Sequence, residues 1–319
     1  MAPATLTSTD PVLAEFAADI GADGPIAVAG GRTRWELGGA LADGTRVVAA
    51  PTGIVEYIPD EMTVTVRAGT TVAELHRTLA ERGQRTGLPD RGGTVGGALA
   101  VGENDLRALG RGPVRNALLQ IRYVSADGRI VSSGGPTVKN VSGFDLPRLM
   151  VGSLGTLGML GEAILRTNPI PPHARWLAAE GVDPGEVHEV LLAPSAILWD
   201  GETTWVQLEG HAADVDAQRL VLDGLGSFRT VDLDDSDALP VELPANRWSC
   251  TPAEAAGFGT GVGADAGRFV AAVGLGLVFA ERPQPPRVLA PAAAVVSERL
   301  KQNFDPTGRC NPGRVVGGR

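Results

Sequence analysis

The sequence has little of what metal, nucleic-acid or membrane chemistry requires. Only two cysteines occur in 319 residues. Cys250 and Cys310 stand far apart with no C-x-x-C pair, which argues against an iron–sulfur cluster or cysteine-rich zinc site and fits buried thiols. The four histidines, His76, His173, His188 and His211, are scattered. None has a second ligand or base at a useful spacing, so no metal site is expected. Basic residues number 28 against 37 acidic ones, for a formal charge of −9 and a pI near 5.0. A polyanion partner needs clustered Lys and Arg, and no such cluster is present, so no nucleic-acid partner is expected. The longest apolar run, Phe269 to Ala280, falls short of the ~20 residues that span a bilayer. The N-terminal stretch MAPATLTSTDPVLAEF lacks a basic region followed by an apolar core. These absences point to a cytoplasmic protein with no transmembrane segment.

What is present is ample hydrophobic content, 43%, in a chain long enough for two domains. Its 43 glycines and 23 prolines form no low-complexity tract, a pattern of many fixed turns rather than disorder. Asp10 to Ile20 reads as a helix behind an Asp cap, broken by Gly21 to Gly24. Strand 25–29 runs into Gly30-Gly31-Arg32-Thr33, whose successive N–H groups could form an anion nest. Alone, two glycines after a strand are a weak phosphate signal, and a G-x-G-x-x-G fingerprint is absent from this turn.

Strands follow at 46–50 and 62–66, then a helix opened by Thr71-Val72-Ala73-Glu74, with Val72, Leu75 and Leu79 on one face and Gly83 as its stop. The glycine-rich stretch 87–116 is too irregular for one element, and a long ordered loop of this kind is usually functional. A hairpin spans 117–131 around Asp127-Gly128. A short helix near Leu146–Met150 and a strand from Met159 to Arg166 flank Gly152, Gly155 and Gly158. Three glycines at that spacing in an apolar run let backbone pass close to something, either a buried turn or a cofactor loop.

The proline cluster at 169–172 marks a first domain boundary, and Arg282 to Pro286 a second. Between them, strands at 175–179, 196–199 and 203–208 and helices at 183–192, 212–224 and from Thr251 describe an α+β segment with an antiparallel sheet. The acidic run Asp232, Asp234, Asp235 and Asp237 lacks the glycine turn and closing Glu of a calcium loop and reads as solvated. A last helix, 292–303, leads into Asp305-Pro306-Thr307-Gly308-Arg309-Cys310-Asn311-Pro312-Gly313-Arg314.

The GGRT turn, the helix after Ala68-Gly69-Thr70, the loop Thr94 to Leu99, the segment KNVSGFDLPRLMVGSLGTLG from Lys139 and the D-P-x-G-x-x-N-P-G-R tail occur together in this order. This set resembles the vanillyl-alcohol oxidase and p-cresol methylhydroxylase family over nearly the whole chain. Within it the likeness extends to the smaller, E-type FAD-binding subunits of bacterial glycolate oxidases.

The resemblance implies an α+β fold: a two-subdomain FAD-binding domain of the p-cresol methylhydroxylase type over 1–170, a smaller α+β cap with an antiparallel sheet over 171–285, and a segment 286–319 returning to the first domain. It implies FAD as cofactor. The pyrophosphate would rest on Gly30, Gly31, Arg32 and Thr33. Gly93, Thr94, Val95, Gly96 and Gly97, with Gly152, Gly155, Thr156 and Gly158, would line the flavin and its adenine side. Gly110, Gly112, Val114 and Arg115 would approach the isoalloxazine, and Asn311 of the tail would join the cofactor site.

Two departures from the family pattern bear on chemistry. Arg32 stands where many members have a third glycine, in a backbone conformation that an ordinary residue is expected to hold; the histidine that carries covalent flavin in some relatives is likewise replaced by Arg32, and 101–116 has no cysteine. FAD is therefore expected to be non-covalent. The histidine-rich G-E-H-G and H-x-H-x-G-D segments of larger 2-hydroxy-acid oxidising relatives are also missing. No catalytic base is identified, and Arg111, Arg115 and Arg247 are the candidates for holding a substrate carboxylate.

Three readings stand. One is an FAD-binding subunit of a 2-hydroxy-acid (glycolate-like) dehydrogenase complex with a larger FAD-binding subunit and an iron–sulfur subunit, and any place at the inner face of the membrane would come through those partners. Another is a stand-alone FAD oxidoreductase acting on another alcohol. The third is a non-catalytic assembly subunit that keeps the flavin fold.

Overall fold

The structure is a computed structural model that describes residues 10–135, 145–234, 238–285 and 290–316. The part of the glycine segment at 139–144, together with Asp235 and Asp237 of the acidic run, lies outside the described residues. The chain divides into two compact units. The first takes Met1–Asp105, Pro113–Pro169 and Pro286–Arg319; the second takes Leu106–Gly112 and Ile170–Pro285.

The first unit opens with α1 (Pro11–Ile20). The Asp10 carboxylate accepts from the N–H groups of Val12 and Leu13, and Gly21 closes the helix at a φ of 63°. Strands β1 (Ile26–Ala29) and β2 (Arg46–Ala49) pair in parallel. Then come β3 (Ile54–Ile58), β4 (Thr63–Arg67), α2 (Val72–Ala80), β5 (Gln84–Arg85) and α3 (Val95–Val101). The Thr71 hydroxyl caps α2 by accepting from Glu74 N–H at 3.1 Å, and Val72, Leu75 and Leu79 are buried as their spacing requires. Beyond α4 (Ala108–Arg111), which belongs to the second unit, follow α5 (Val114–Ala117), β6 (Leu118–Val124), β7 (Ile130–Gly134), α6 (Leu146–Met150), β8 (Met159–Arg166) and β9 (Asn168–Pro169).

These strands form a five-stranded antiparallel sheet in the order β3-β4-β8-β6-β7, with β5 paired to β9 separately. Across the sheet, Arg67 donates to Glu162 and to the capping Asp10, each at 2.6 Å, so the start of α1 is pinned to β4 and β8 by buried charge. Breaking one partner of such a set costs about 3–5 kcal/mol because a buried charge is left alone.

The second unit contains β10 (His173–Glu180), α7 (Pro184–Val190), β11 (Ala196–Trp199), β12 (Thr203–Gly210), α8 (Ala212–Asp223), β13 (Arg229–Val231), β14 (Asn246–Ser249), α9 (Pro252–Ala256), β15 (Phe269–Ala272) and β16 (Leu277–Ala280). Its seven strands make one antiparallel sheet, β13-β10-β12-β11-β15-β16-β14. Thr251 and Glu254 form the reciprocal capping box of α9. The fold is the expected α+β type with an antiparallel sheet in the second unit. One difference from the expected boundaries is the excursion at 106–112. Arg107 Nε donates to Gln207 Oε1 at 2.8 Å, and Gly110 lies so close to Ser195 that a Cβ there would meet its Oγ at 2.8 Å.

The final helix α10 (Pro291–Phe304) leads the tail onto the first unit. Cys310 bridges to Ile26 in parallel fashion, extending the β1–β2 ribbon. Arg309 is 5% exposed and spends its guanidinium on five backbone carbonyls, those of Ile20, Gly21, Asp23, Gly24 and Ala126. Three of these carbonyls follow α1, so the cation also faces the helix's negative end.

Candidate functional site

The first unit holds a cleft of about 820 Å³ that opens to solvent. Its floor is the turn after β1. Gly30 and Gly31 press against the loop before α3: a Cβ on Gly30 would fall 2.1 Å from Thr94 Oγ1, and one on Gly31 would meet Gly92 O at 3.2 Å. A side chain on Gly30 would collide with that of Thr94, and one on Gly31 would crowd the backbone of Gly92 and Gly93. Arg32, expected to hold an ordinary conformation, instead takes a φ of 54°. A left-handed residue after one of negative φ turns consecutive N–H groups to the same side, which is the geometry of an anion nest. The N–H groups of Gly31, Arg32 and Thr33 donate to no acceptor among the described residues.

The first turn of α3 does not compete for an anion. Val95 N–H goes to Thr70 O, Gly96 N–H to Ala68 O and Gly97 N–H to Thr94 Oγ1.

Charge reinforces the nest. Arg32, Arg34, Arg91 and Arg314 line the cleft against one carboxylate, Glu103. Glu103 is 4% exposed and sits 3.3 Å from Arg34 and 3.4 Å from Arg91. Arg32 and Arg314 both lie over the Trp35 ring, at 5.0 and 5.2 Å from its centroid, a cation–π arrangement that holds both guanidiniums beside the nest, Arg32 exposed and Arg314 half-buried. Burial draws Arg314 below the ordinary arginine value, with Glu36 opposing. A net positive, glycine-floored cleft with three open backbone donors fits a dinucleotide carrying a pyrophosphate. A second chamber of about 390 Å³, lined by no charged residue, shares Val28, Gly30, Thr94, Gly97 and Asn311 with the cleft.

Of the expected cofactor residues, Gly30, Gly31, Arg32, Thr33, Gly93, Thr94, Gly97 and Asn311 line the cleft, and Gly96, Gly155 and Gly158 line the second chamber. The others stand outside these two linings. Val95 and Val114 are fully buried core residues. Thr156 is buried, its hydroxyl donating to Ser153 O at 2.7 Å and its carbonyl accepting from Lys301. Gly152 gives its N–H to Leu99 O. Gly110 and Gly112 belong to the second unit and are absent from both linings, and Arg115 is exposed on the first unit.

Arg111 lies in the second unit at 3.9 Å from Glu209, and Arg247 lies on β14. Sequence reasoning missed Arg34, Trp35, Arg91, Glu103 and Arg314 as cleft residues. The density of arginine around the GGRTRW turn was the available signal. No histidine lines the cleft, and among the described residues no three His, Cys, Asp or Glu side chains converge to hold a metal. No helix among the described residues is long and apolar enough to cross a membrane.

Comparison with known proteins agrees with this geometry. Residues 6–134 match the family model described as an FAD binding domain. The chain is 30% identical to glycolate oxidase subunit GlcE of Escherichia coli (strain K12) over 91% of this chain and 92% of that one. It is 31% identical to glycolate oxidase subunit GlcD of Bacillus subtilis (strain 168) over 57% of this chain but only 42% of that longer one. Among solved structures, alkyldihydroxyacetonephosphate synthase superposes with a TM-score of 0.65 at 15% identity, covering 90% of this chain and 71% of that one, a likeness of fold. The chain therefore belongs to the FAD-binding oxidoreductase family of the p-cresol methylhydroxylase type that contains glycolate oxidase subunit GlcE.

Proposed function

We propose that this chain is the FAD-holding subunit of a 2-hydroxy-acid dehydrogenase of the glycolate oxidase kind, working in the cytoplasm with a larger FAD-binding subunit and an iron–sulfur subunit. The observation that carries the reading is the end-to-end match to a protein named as a glycolate oxidase subunit, 92% of whose length is covered. A match to GlcD as well supports a partner of related fold.

In this reading the nest at 31–33 and the arginines Arg32, Arg34 and Arg314 hold the pyrophosphate. A ring would enter the second chamber, which Gly30, Gly96, Gly155 and Gly158 help to line. FAD, bound there, supplies a two-electron acceptor for a carbon that bears a hydroxyl. The chain's own side chains in the cleft orient and exclude water but provide no free base: Glu103, the one carboxylate, is held between Arg34 and Arg91. Arg111 and Arg247 can hold a carboxylate but stay charged and cannot take a proton. A general base contributes typically about 10²–10⁴-fold, so the partner is assigned that role.

The test is anaerobic mixing of the FAD-loaded chain with glycolate or D-lactate, alone and with the partner subunits. Slow flavin bleaching alone and fast bleaching in the complex is the expected result. Rapid bleaching of the isolated chain, unchanged by partners, would favour the stand-alone oxidoreductase instead.

A further inference from the structure

We propose that Asn311 reads a ring N–H of the bound cofactor, its side-chain oxygen accepting that hydrogen bond where the cleft meets the apolar second chamber. The inference rests on FAD as the cofactor and not on the identity of the substrate.

Two residues in left-handed conformation meet at this point, Leu154 with a φ of 52° and Asn311 with a φ of 45°. Such backbone is uncommon for residues other than glycine, above all for a bulky leucine, and persists where the surroundings over-determine it. Here each holds the other: Asn311 Nδ2 donates to Leu154 O at 2.5 Å. Asn311 N–H donates to Ile26 O at 2.8 Å, fixing the residue to β1 from the other side. The neighbouring Gly155 has to be glycine, because a Cβ there would stand 2.6 Å from Asn311 Nδ2.

The atom that faces a carbonyl oxygen must be the amide nitrogen, so the orientation of the carboxamide is settled by Leu154. Oδ1 is thereby fixed on the opposite edge, where it is buried and has no hydrogen-bond partner. A buried amide oxygen left without a donor is the exception in folded proteins and calls for a specific explanation.

Asn311 lines both chambers, and in the second its neighbours include Ala50, Ala68, Met159 and Leu160. A sugar or polyol chain against these walls would leave hydroxyls unpaired, whereas a flat heterocycle buries its faces there and offers its polar edge to one acceptor. FAD carries two such edges with an N–H donor, the adenine amino group and N3–H of the isoalloxazine.

The experiment compares FAD with two analogues in titrations followed by flavin fluorescence. One has hypoxanthine in place of adenine, removing the amino donor. The other is methylated at flavin N3. Each is titrated into the full apo-chain, wild type and Asn311→Gly, a substitution that keeps the left-handed backbone and removes the carboxamide.

The expected result is that wild type binds one analogue about three- to ten-fold more weakly than FAD, as one net hydrogen bond requires. Asn311→Gly should lose a similar factor for FAD and cease to distinguish that analogue from FAD. The analogue affected names the ring. Equal losses for the analogue in wild type and Asn311→Gly would overturn the proposal, as would unchanged FAD affinity in Asn311→Gly. Should that variant fail to fold, wild type binding both analogues as tightly as FAD overturns it alone. Failure of wild type to bind FAD at all would remove the cofactor reading along with it.

Discussion

Arg32 carries two opposed demands. Its φ of 54° costs an L-residue about 1–2 kcal/mol relative to glycine, yet its guanidinium stands over Trp35 beside the open N–H groups of the nest. Glycine would relieve the backbone but would also add about 0.4–1 kcal/mol of freedom to the unfolded chain. Arg32→Gly is therefore expected to change apo-protein stability by less than about 1 kcal/mol while weakening FAD binding about three- to ten-fold and flattening its salt dependence. Thermal melts and FAD titrations at low and high ionic strength check this. Unchanged affinity and salt slope would show that the guanidinium has no part in holding the pyrophosphate. The left-handed turn itself was not legible from the residues, because arginine at that place predicts an ordinary conformation. The turn is set beside a tertiary contact, Gly31 lying against the backbone of Gly92 and Gly93, which no local pattern announces.

At the scale of elements, α10 and the tail are joined by one carboxylate. Asp305 is 2% exposed and accepts from Lys301 Nζ at 2.6 Å, Cys310 N–H at 2.8 Å and Arg309 N–H at 3.0 Å. Burial opposes its charge, but the Lys301 and backbone donors prevail and hold its carboxyl below the ordinary value. A folded-state value below the unfolded one contributes stability that is present above the unfolded pKa and is lost as pH falls through the folded one. Asp305→Asn should thus cost about 2 kcal/mol near neutrality. Its deficit against wild type should shrink between about pH 5 and pH 2 in denaturant titrations. A deficit independent of pH would mean that Asp305 acts by shape alone.

Other elements differ in how far they could be read. The helix at 146–150 and the strands at 159–166 and 196–199 stand where pattern and caps place them. Helix α3 could not be foreseen, because two of its seven residues are glycine, each costing about 1 kcal/mol in a helix interior. It forms because Gly96 must lie against Ala68, where a Cβ would meet that residue's own at 2.8 Å. The run Phe269 to Ala280 gave no period, since β15 and β16 are buried on both faces, and such runs do not declare themselves as strand or helix.

For the whole molecule, the ordered set of motifs made the family legible from end to end, while the cleft was legible only in its backbone. Its glycines sit in local turns that spacing reveals. Arg34, Arg91, Glu103 and Arg314 converge from segments far apart in the chain, and no local pattern marks them. The same limit hid the assignment of 106–112 to the second unit.

The central claim is that the first unit binds one FAD through this cleft without a covalent bond, Arg32 standing where a histidine link would be. The absorption spectrum of the purified full chain, recorded before and after acid precipitation, tests it most directly. The account predicts one flavin per chain and all of the yellow colour in the acid supernatant. A chain that neither carries FAD nor takes it up when supplied, or a precipitate that stays yellow, would contradict it.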